Sequence, residues 1–290
     1  MHKNLTMKNK LKFLVPTDFS FSAENAFRHA ILMADQLGAD IMLLNVVNPE
    51  VAIIEVPVAV EVAITEKMKI AKHKLFELTS RVLSQTIQQI KNVPVIFTEI
   101  EMGNPESVID QFAKDHQYDF ICMGTRDEHG AMDKILGSVA ANVVKKAPCP
   151  VFVIPEYAAY RKTTLVTYAT NLREVDPYEI WRVSKLLEPF HSIIRCVHFT
   201  ELEKEEVTPI NMEELKSFFS ENAPALQITF HEIATENKLD SMLEFLNTYD
   251  TNLLVTYQPH RNYWQRLMHR SFTKKMALES KTPMLVLRDK

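Results

Sequence analysis

The sequence predicts an α/β protein built from two tandem, doubly wound, five-stranded parallel sheets with helices on both faces. Short apolar runs alternate with longer helical patterns, which calls for crossover connections and a mostly parallel sheet. The same alternation then runs through a second time in the same order. The length of 290 residues also suits two domains of about 150 residues each.

In the first copy, Leu11–Thr17 reads as a strand, followed by a helix over Ala23–Leu37 with one apolar face. Ser20 or Ser22 is placed to cap that helix and Gly38 to end it. Ile41–Val47 is a second strand, and a long amphipathic helix is expected from about Glu61 to Ile90. Between them, Val51–Val60 is ambiguous, a segment that could cover a site or mediate association. Val95–Glu101 is the third strand, and Pro105–His116 the third helix, starting behind Asn104. Phe120–Gly124, Ser138–Lys146 and Val151–Ile154 complete the copy as strand, helix and strand.

The second copy runs through Thr164–Tyr168, Asp176–Leu187, Ser192–His198, Met212–Glu221 and Leu226–Ile233, in the same alternation. It ends with Leu239–Asn247, Leu253–Tyr257, Phe272–Ser280 and Met284–Leu287. An offset of 133 positions places Pro150–Val153 on Pro283–Val286, and one of 151 places Val15–Asp18 on Val166–Ala169. The shrinking offset puts a deletion between the second and third strands of the later copy. Domains of residues 1–156 and 157–290 follow.

Apolar residues at 46 % and charged residues at 24 % describe a chain able to bury a core, and exclude disordered and disulfide-scaffold classes. A net charge of −4 gives no basic footprint for nucleic acid. Cys122, Cys149 and Cys196 are odd in number and lack the spacing of a zinc site or redox pair, so they read as inert thiols. The N-terminus has no signal-like apolar stretch, and no run reaches the ~20 residues needed to span a bilayer. A cytoplasmic location is expected.

Ligands of open parallel sheets bind beyond the carboxyl ends of the strands, where strand order reverses. That directs attention to Pro16-Thr17-Asp18, to Val46, and to Met123-Gly124-Thr125-Arg126 running on to Gly137-Ser138-Val139. Only five glycines occur, all before residue 138, so a glycine-built phosphate loop belongs to the first copy. The Gly137-Ser138 pair opens a helix whose N-terminal N–H groups suit an anion. Asp127-Glu128-His129 looks like a metal cluster but reads better as a solvated loop tip, so no metal is expected. No Ser/His/Asp arrangement suggests nucleophilic catalysis. Tyr257, Tyr263 and Trp264, with Arg261, Arg266 and Arg270, read as a packed plug over the corresponding region of the second copy.

The segments VPTDFS, LLNVVNP and MGTRDEHGAMDKILGSVAANVVKKAPCPVFVIP together resemble the universal stress protein family, and the resemblance extends over both copies. The family signature is Gly, two residues, Gly, nine residues, then Gly-Ser or Gly-Thr. Gly124 and Gly137-Ser138 fit it, while Asp127 stands at the middle glycine. The resemblance implies an adenine nucleotide α-hydrolase-like sandwich, with ATP or AMP as ligand and Mg2+ only alongside a triphosphate. It places Asp18 near the adenosine, the Val46 backbone near the base, and Gly124, Gly137, Ser138 and Val139 along ribose and phosphates. An Asp127 carboxylate would repel phosphate, with Arg126 next to it able to offset the charge.

The implied function is stress-linked regulation or binding through an N-terminal nucleotide site, with at most slow ATP hydrolysis. The second copy matches Asp18 with Ala169, Gly124 with Tyr257 and Gly137 with Arg270, and is expected to have lost the site. The two domains would pair within the chain, with a homodimer left open. The alternative is a partner-binding scaffold in which both sites are vestigial.

Overall fold

The computed structural model describes residues 10–48, 57–125, 138–201, 208–222, 225–258 and 282–288. The first half contains β1 (Lys12–Thr17), α1 (Phe21–Leu37), β2 (Asp40–Val47), α2 (Pro57–Thr86), β3 (Ile96–Met102), α3 (Pro105–Asp115), β4 (Phe120–Thr125), α4 (Ser138–Lys146) and β5 (Val151–Pro155). The second contains β6 (Leu165–Ala169), α5 (Asp176–Leu187), β7 (Ile193–Glu201), α6 (Met212–Glu221), β8 (Ile228–Thr235), α7 (Lys238–Thr248), β9 (Leu253–Gln258) and β10 (Met284–Arg288). A 3-10 turn, Glu188–Phe190, follows α5. The helix expected over Phe272–Ser280 and most of Val51–Val60 lie outside the described residues.

The strands run in the order β3-β2-β1-β4-β5-β10-β9-β6-β7-β8. The expected five-stranded halves are both present, each parallel within itself. They join edge to edge through one antiparallel pair, in which Phe152 of β5 faces Leu285 of β10. Because the seam is antiparallel, the carboxyl ends of the two sets of strands point to opposite ends of the sheet.

Helix ends follow local chemistry. The Ser20 hydroxyl accepts from Ala23 N–H to start α1, and Gly38 closes it in the left-handed region at φ 65°. Asn104 and Asn237 cap α3 and α7, and Asn211 with Glu214 forms a capping box on α6. The long second helix begins at Pro57, earlier than its charged face at Glu61 suggested. Its counterpart α6 has 10 residues against 30 in α2, which accounts for the deletion read from the sequence.

One core runs continuously under α1, α2, α5 and α6 of both halves, with Phe13, Phe120 and Phe152 clustered in it. The other sheet face carries a core under α3 and α4 and another under α7, with Met284 of β10 packed against both. The segment joining the halves is fastened at both ends. Asn25 of α1 donates to the carbonyls of Pro155, Glu156 and Ala158, at 3.2, 3.2 and 2.9 Å. Arg161 forms a two-bond ion pair with Asp250.

The ladders correct the register of the repeat. Phe13 pairs with Phe120 and Val166 with Leu253, so Phe13 and Val166 hold equivalent places, 153 positions apart rather than 151. Thr17 therefore corresponds to Thr170, and Asp18 to Asn171, not to Ala169. A slip of two residues leaves every side chain on its own sheet face, so hydrophobic pattern alone does not detect it. The turns confirm the new register. Thr17 Oγ1 accepts from Phe19 N–H at 3.1 Å, and Thr170 Oγ1 from Leu172 N–H at 2.8 Å. Phe19 and Leu172 both adopt positive φ, 66° and 53°.

Candidate functional site

In each half the chain moves outward from its first strand to the second and third, then returns to the opposite side for the fourth. The reversal point is therefore the β1/β4 boundary in one half and the β6/β9 boundary in the other. These two boundaries are built differently. The β1–β4 ladder comprises Phe13–Phe120 and Leu14–Ile121 and stops there. The β6–β9 ladder continues through Tyr168–Val255 to Ala169–Thr256.

Pro16 explains the difference. The Lys12 carbonyl accepts from Asp119 N–H, and Lys12 N–H donates to the Asp119 side chain, so even-numbered residues of β1 present their main-chain groups to β4. Residue 16 thus faces β4 without an N–H to donate. Its counterpart Ala169 has one, and the second ladder stays closed. A Pro16→Ala variant is expected to extend the β1–β4 pairing and to tie the β1 edge of the crevice to β4. Nucleotide affinity should fall about fivefold while unfolding stability is unchanged or higher, the gain per added hydrogen bond being about 1 kcal/mol. Calorimetry and denaturant titration check both.

The crevice is a cavity of about 280 Å3. Pro16, Thr17 and Asp18 form its β1 edge, Leu44 and Val46 its floor on β2, and Met123 and Gly124 its β4 edge. Ser20, Ser22 and Ala23 contribute from the start of α1, Pro105 and Ile109 from α3, and Val139 and Ala140 from α4. Seven of the expected residues thus meet in one place: Pro16, Thr17, Asp18, Val46, Met123, Gly124 and Val139. Ser138 is the first residue of α4. Arg126, Gly137 and the Asp127-Glu128-His129 cluster lie outside the described residues.

Residues that sequence reading missed carry recognisable signals. Leu44 lies two positions before Val46 and shares its face, and Ile109 lies four after Pro105 on one side of α3. The Ser20–Ala23 wall follows from Gly124. A Cβ there would stand 2.5 Å from the Ser22 carbonyl carbon and 3.0 Å from Ala23 N, so this glycine is what admits the α1 backbone.

The Thr17–Ser20 turn is rigidly tied. Asn45 donates to the Thr17 carbonyl at 2.8 Å, and Ser20 N–H donates to Asp18 Oδ1 at 2.9 Å. Asp18 is therefore a turn residue and lines the crevice as well. The β1–β2 ladder ends at Thr17–Asn45 while β2 runs on to Val47, so Val46 stands one residue past the last pair, at the floor.

The second half keeps the turn, and among its described residues the β6/β9 boundary is paired to its end. His198 replaces Asn45, its Nδ1 contacting the Thr170 carbonyl at 3.0 Å. Buried Asp176 stands at the place of Ala23 and accepts from Tyr168 Oη, Thr170 Oγ1 and Arg173 N–H. Phe199, at the place of Val46, packs edge-on against Phe245. Of the expected plug, Tyr257 is buried in the core at the end of β9, and residues 261–270 lie outside the described residues. The three thiols are buried and free, and burial raises all their pKa values, that of Cys149 to about 12.

Among the described residues no three His, Cys, Asp or Glu side chains converge as a metal site, and no helix is long and apolar enough to cross a membrane.

Comparison with known proteins follows the same division. The family model described as the universal stress protein family matches residues 11–155. A universal stress protein of Methanocaldococcus jannaschii is 31 % identical over 152 residues, covering 49 % of this chain and 81 % of the relative. A second from that organism is 28 % identical over 151 residues, covering 49 % and 93 %. Across nearly the whole chain, the crystal structure of a universal stress protein from Archaeoglobus fulgidus superposes with a TM-score of 0.71, at 15 % identity, covering 96 % of this chain and 98 % of that one. That likeness extends the fold to the second half. The chain belongs to the universal stress protein family.

Proposed function

We propose that the protein is a stress-linked regulatory or binding protein that holds an adenine nucleotide, ATP or AMP, in the β1/β4 crevice of its first half without efficient turnover. The observation that carries this reading is the contrast between the two reversal points: one ladder stops at Leu14–Ile121, before Pro16, beside a 280 Å3 cavity, and the other is paired to its end. The cavity is apolar along Leu44, Val46, Ile109 and Met123, and it has polar groups at the Thr17–Ser22 edge. That combination suits a planar base with a hydroxylated ribose. The α4 N-terminus beyond Val139 would face phosphate. Asp18 is the one carboxylate among the described lining residues, and Ser20 N–H occupies one of its oxygens. This supports slow hydrolysis at most, with Mg2+ accompanying a triphosphate only.

In this reading the chain divides at residues 156/157, the halves pair internally through β5 and β10, and the protein works in the cytoplasm, where three free thiols stay reduced. Calorimetry with ATP, AMP and adenosine tests it directly. Asp18→Ala is expected to weaken binding about tenfold, equivalent to about 1.4 kcal/mol, with the fold retained. Unchanged affinity would place the ligand elsewhere. A scaffold reading is favoured by Phe76 of α2 and Phe97 of the edge strand β3, 71 % and 52 % exposed. Absence of any heat or thermal stabilisation at millimolar nucleotide would leave that reading standing.

A further inference from the structure

We propose that the second half is a structural support for the ligand-facing wall of the first, with Arg288 of β10 the positioning residue that holds helix α4 across the seam. The inference deepens the nucleotide reading and rests on it only for its effect on affinity.

The wall consists of α3 and α4, which place Pro105, Ile109, Val139 and Ala140 at the crevice. The two helices are tied to each other near the crevice, Asn142 Nδ2 donating to Glu106 Oε1 at 2.8 Å. The other end of α4 is held by the second half. Arg288 Nη1 donates to the Val144 carbonyl at 3.1 Å, a bond between residues 144 positions apart. Val144 lies in the last turn of α4, where carbonyls lack partners within the helix and carry its partial negative charge. Asp110 of α3 acts electrostatically on the same guanidinium, opposing the effect of burial on it. Arg288 thus bonds the last turn of α4 and lies in the field of a carboxylate midway along α3.

Packing agrees. Val286, two residues earlier on β10, is fully buried in the α3/α4 core, among Val143, Val144 and Ala147. The first half alone would leave that face of its core open. From Val139 to Val144 is five residues, about 7.5 Å along a helix axis, so a loosened last turn reaches the crevice wall directly. A half whose own reversal point is paired to the end of its ladder would in this way retain a role at its neighbour's.

The test uses the full chain with Arg288→Met, which keeps bulk and removes the donor, and Arg288→Lys, which restores a cation. Hydrogen exchange of the α4 amides is read without ligand, and ATP affinity by calorimetry. Arg288→Met is expected to speed exchange in the last turn of α4 about tenfold and weaken ATP about fivefold, with Arg288→Lys recovering most of both. A lowered melting temperature with ATP affinity within twofold of wild type would make Arg288 merely stabilising and overturn the proposal. Unchanged α4 exchange in Arg288→Met would overturn it as well. If wild-type protein ignores ATP, the nucleotide reading fails, and the exchange arm alone decides the support: acceleration rescued by lysine upholds it.

Discussion

Replacing Gly124 with alanine is expected to cost about 3 kcal/mol of stability and to abolish nucleotide binding. The added methyl would meet main chain, 2.5 Å from the Ser22 carbonyl carbon and closer still to its oxygen. Inserting one carbon into a packed interior costs about 1–3 kcal/mol when side chains can yield, and here no side chain stands in the way to yield. The start of α1 would have to withdraw, taking with it Ser20, Ser22 and Ala23, which wall the crevice.

The second half shows what that withdrawal looks like. Tyr257 holds the place of Gly124, and α5 begins at Asp176. By the 153-position register, a helix matching α1 would begin at residue 174. The bulky residue and the delayed helix start occur together. Met123→Leu, on the neighbouring position and opposite sheet face, conserves volume and is expected to cost under about 1.5 kcal/mol. Denaturant unfolding and ATP calorimetry on both variants decide the matter. A Gly124→Ala protein as stable and as responsive as wild type would refute the close-approach argument.

The fold was legible because each half obeys period and punctuation together. Asp176–Leu187 and Met212–Glu221 read directly as helices from their apolar spacing, and Asn104 with Pro105 marks a helix start without any tertiary information. The seam was not legible in detail. An antiparallel β5–β10 edge and a parallel one use the same apolar residues, and the choice between them depends on the placement of whole halves.

The candidate site was half legible. Strand-end residues such as Thr17, Asp18 and Gly124 follow from the rule about parallel sheets. The role of Pro16 does not, because it depends on which neighbour its missing N–H faces, and that parity comes from the Lys12–Asp119 pairing. The two-residue slip leaves each side chain on its own sheet face, so it hid the equivalence of Asp18 and Asn171, and with it the survival of the turn in the second half.

Acid is expected to destabilise the folded chain, with the buried His29 responsible for a defined share of the loss. This histidine is 2 % exposed, and its Nε2 lies 3.1 Å from the Ala158 carbonyl. A carbonyl only accepts, so that nitrogen carries the proton of a neutral ring. Burial pulls the pKa down from 6.5 to about 4; the Ala158 bond opposes this and Arg28 adds to it. The folded state thus resists protonation while the unfolded chain takes a proton at 6.5. Between those values the unfolded state binds more protons, so stability rises with pH and falls on acidification. The contribution is complete above 6.5 and lost as pH drops through the window to about 4. That gap, at about 1.4 kcal/mol per pH unit, amounts to about 3 kcal/mol. Other groups titrate over the same range, so the diagnostic quantity is the difference between wild type and His29→Gln, which keeps a donor for Ala158 and has nothing to protonate. Urea unfolding at pH 7 and pH 4 should show the variant losing about 3 kcal/mol less than wild type. Equal acid sensitivity in the two proteins would show that burial of the His29 ring does not set the acid response.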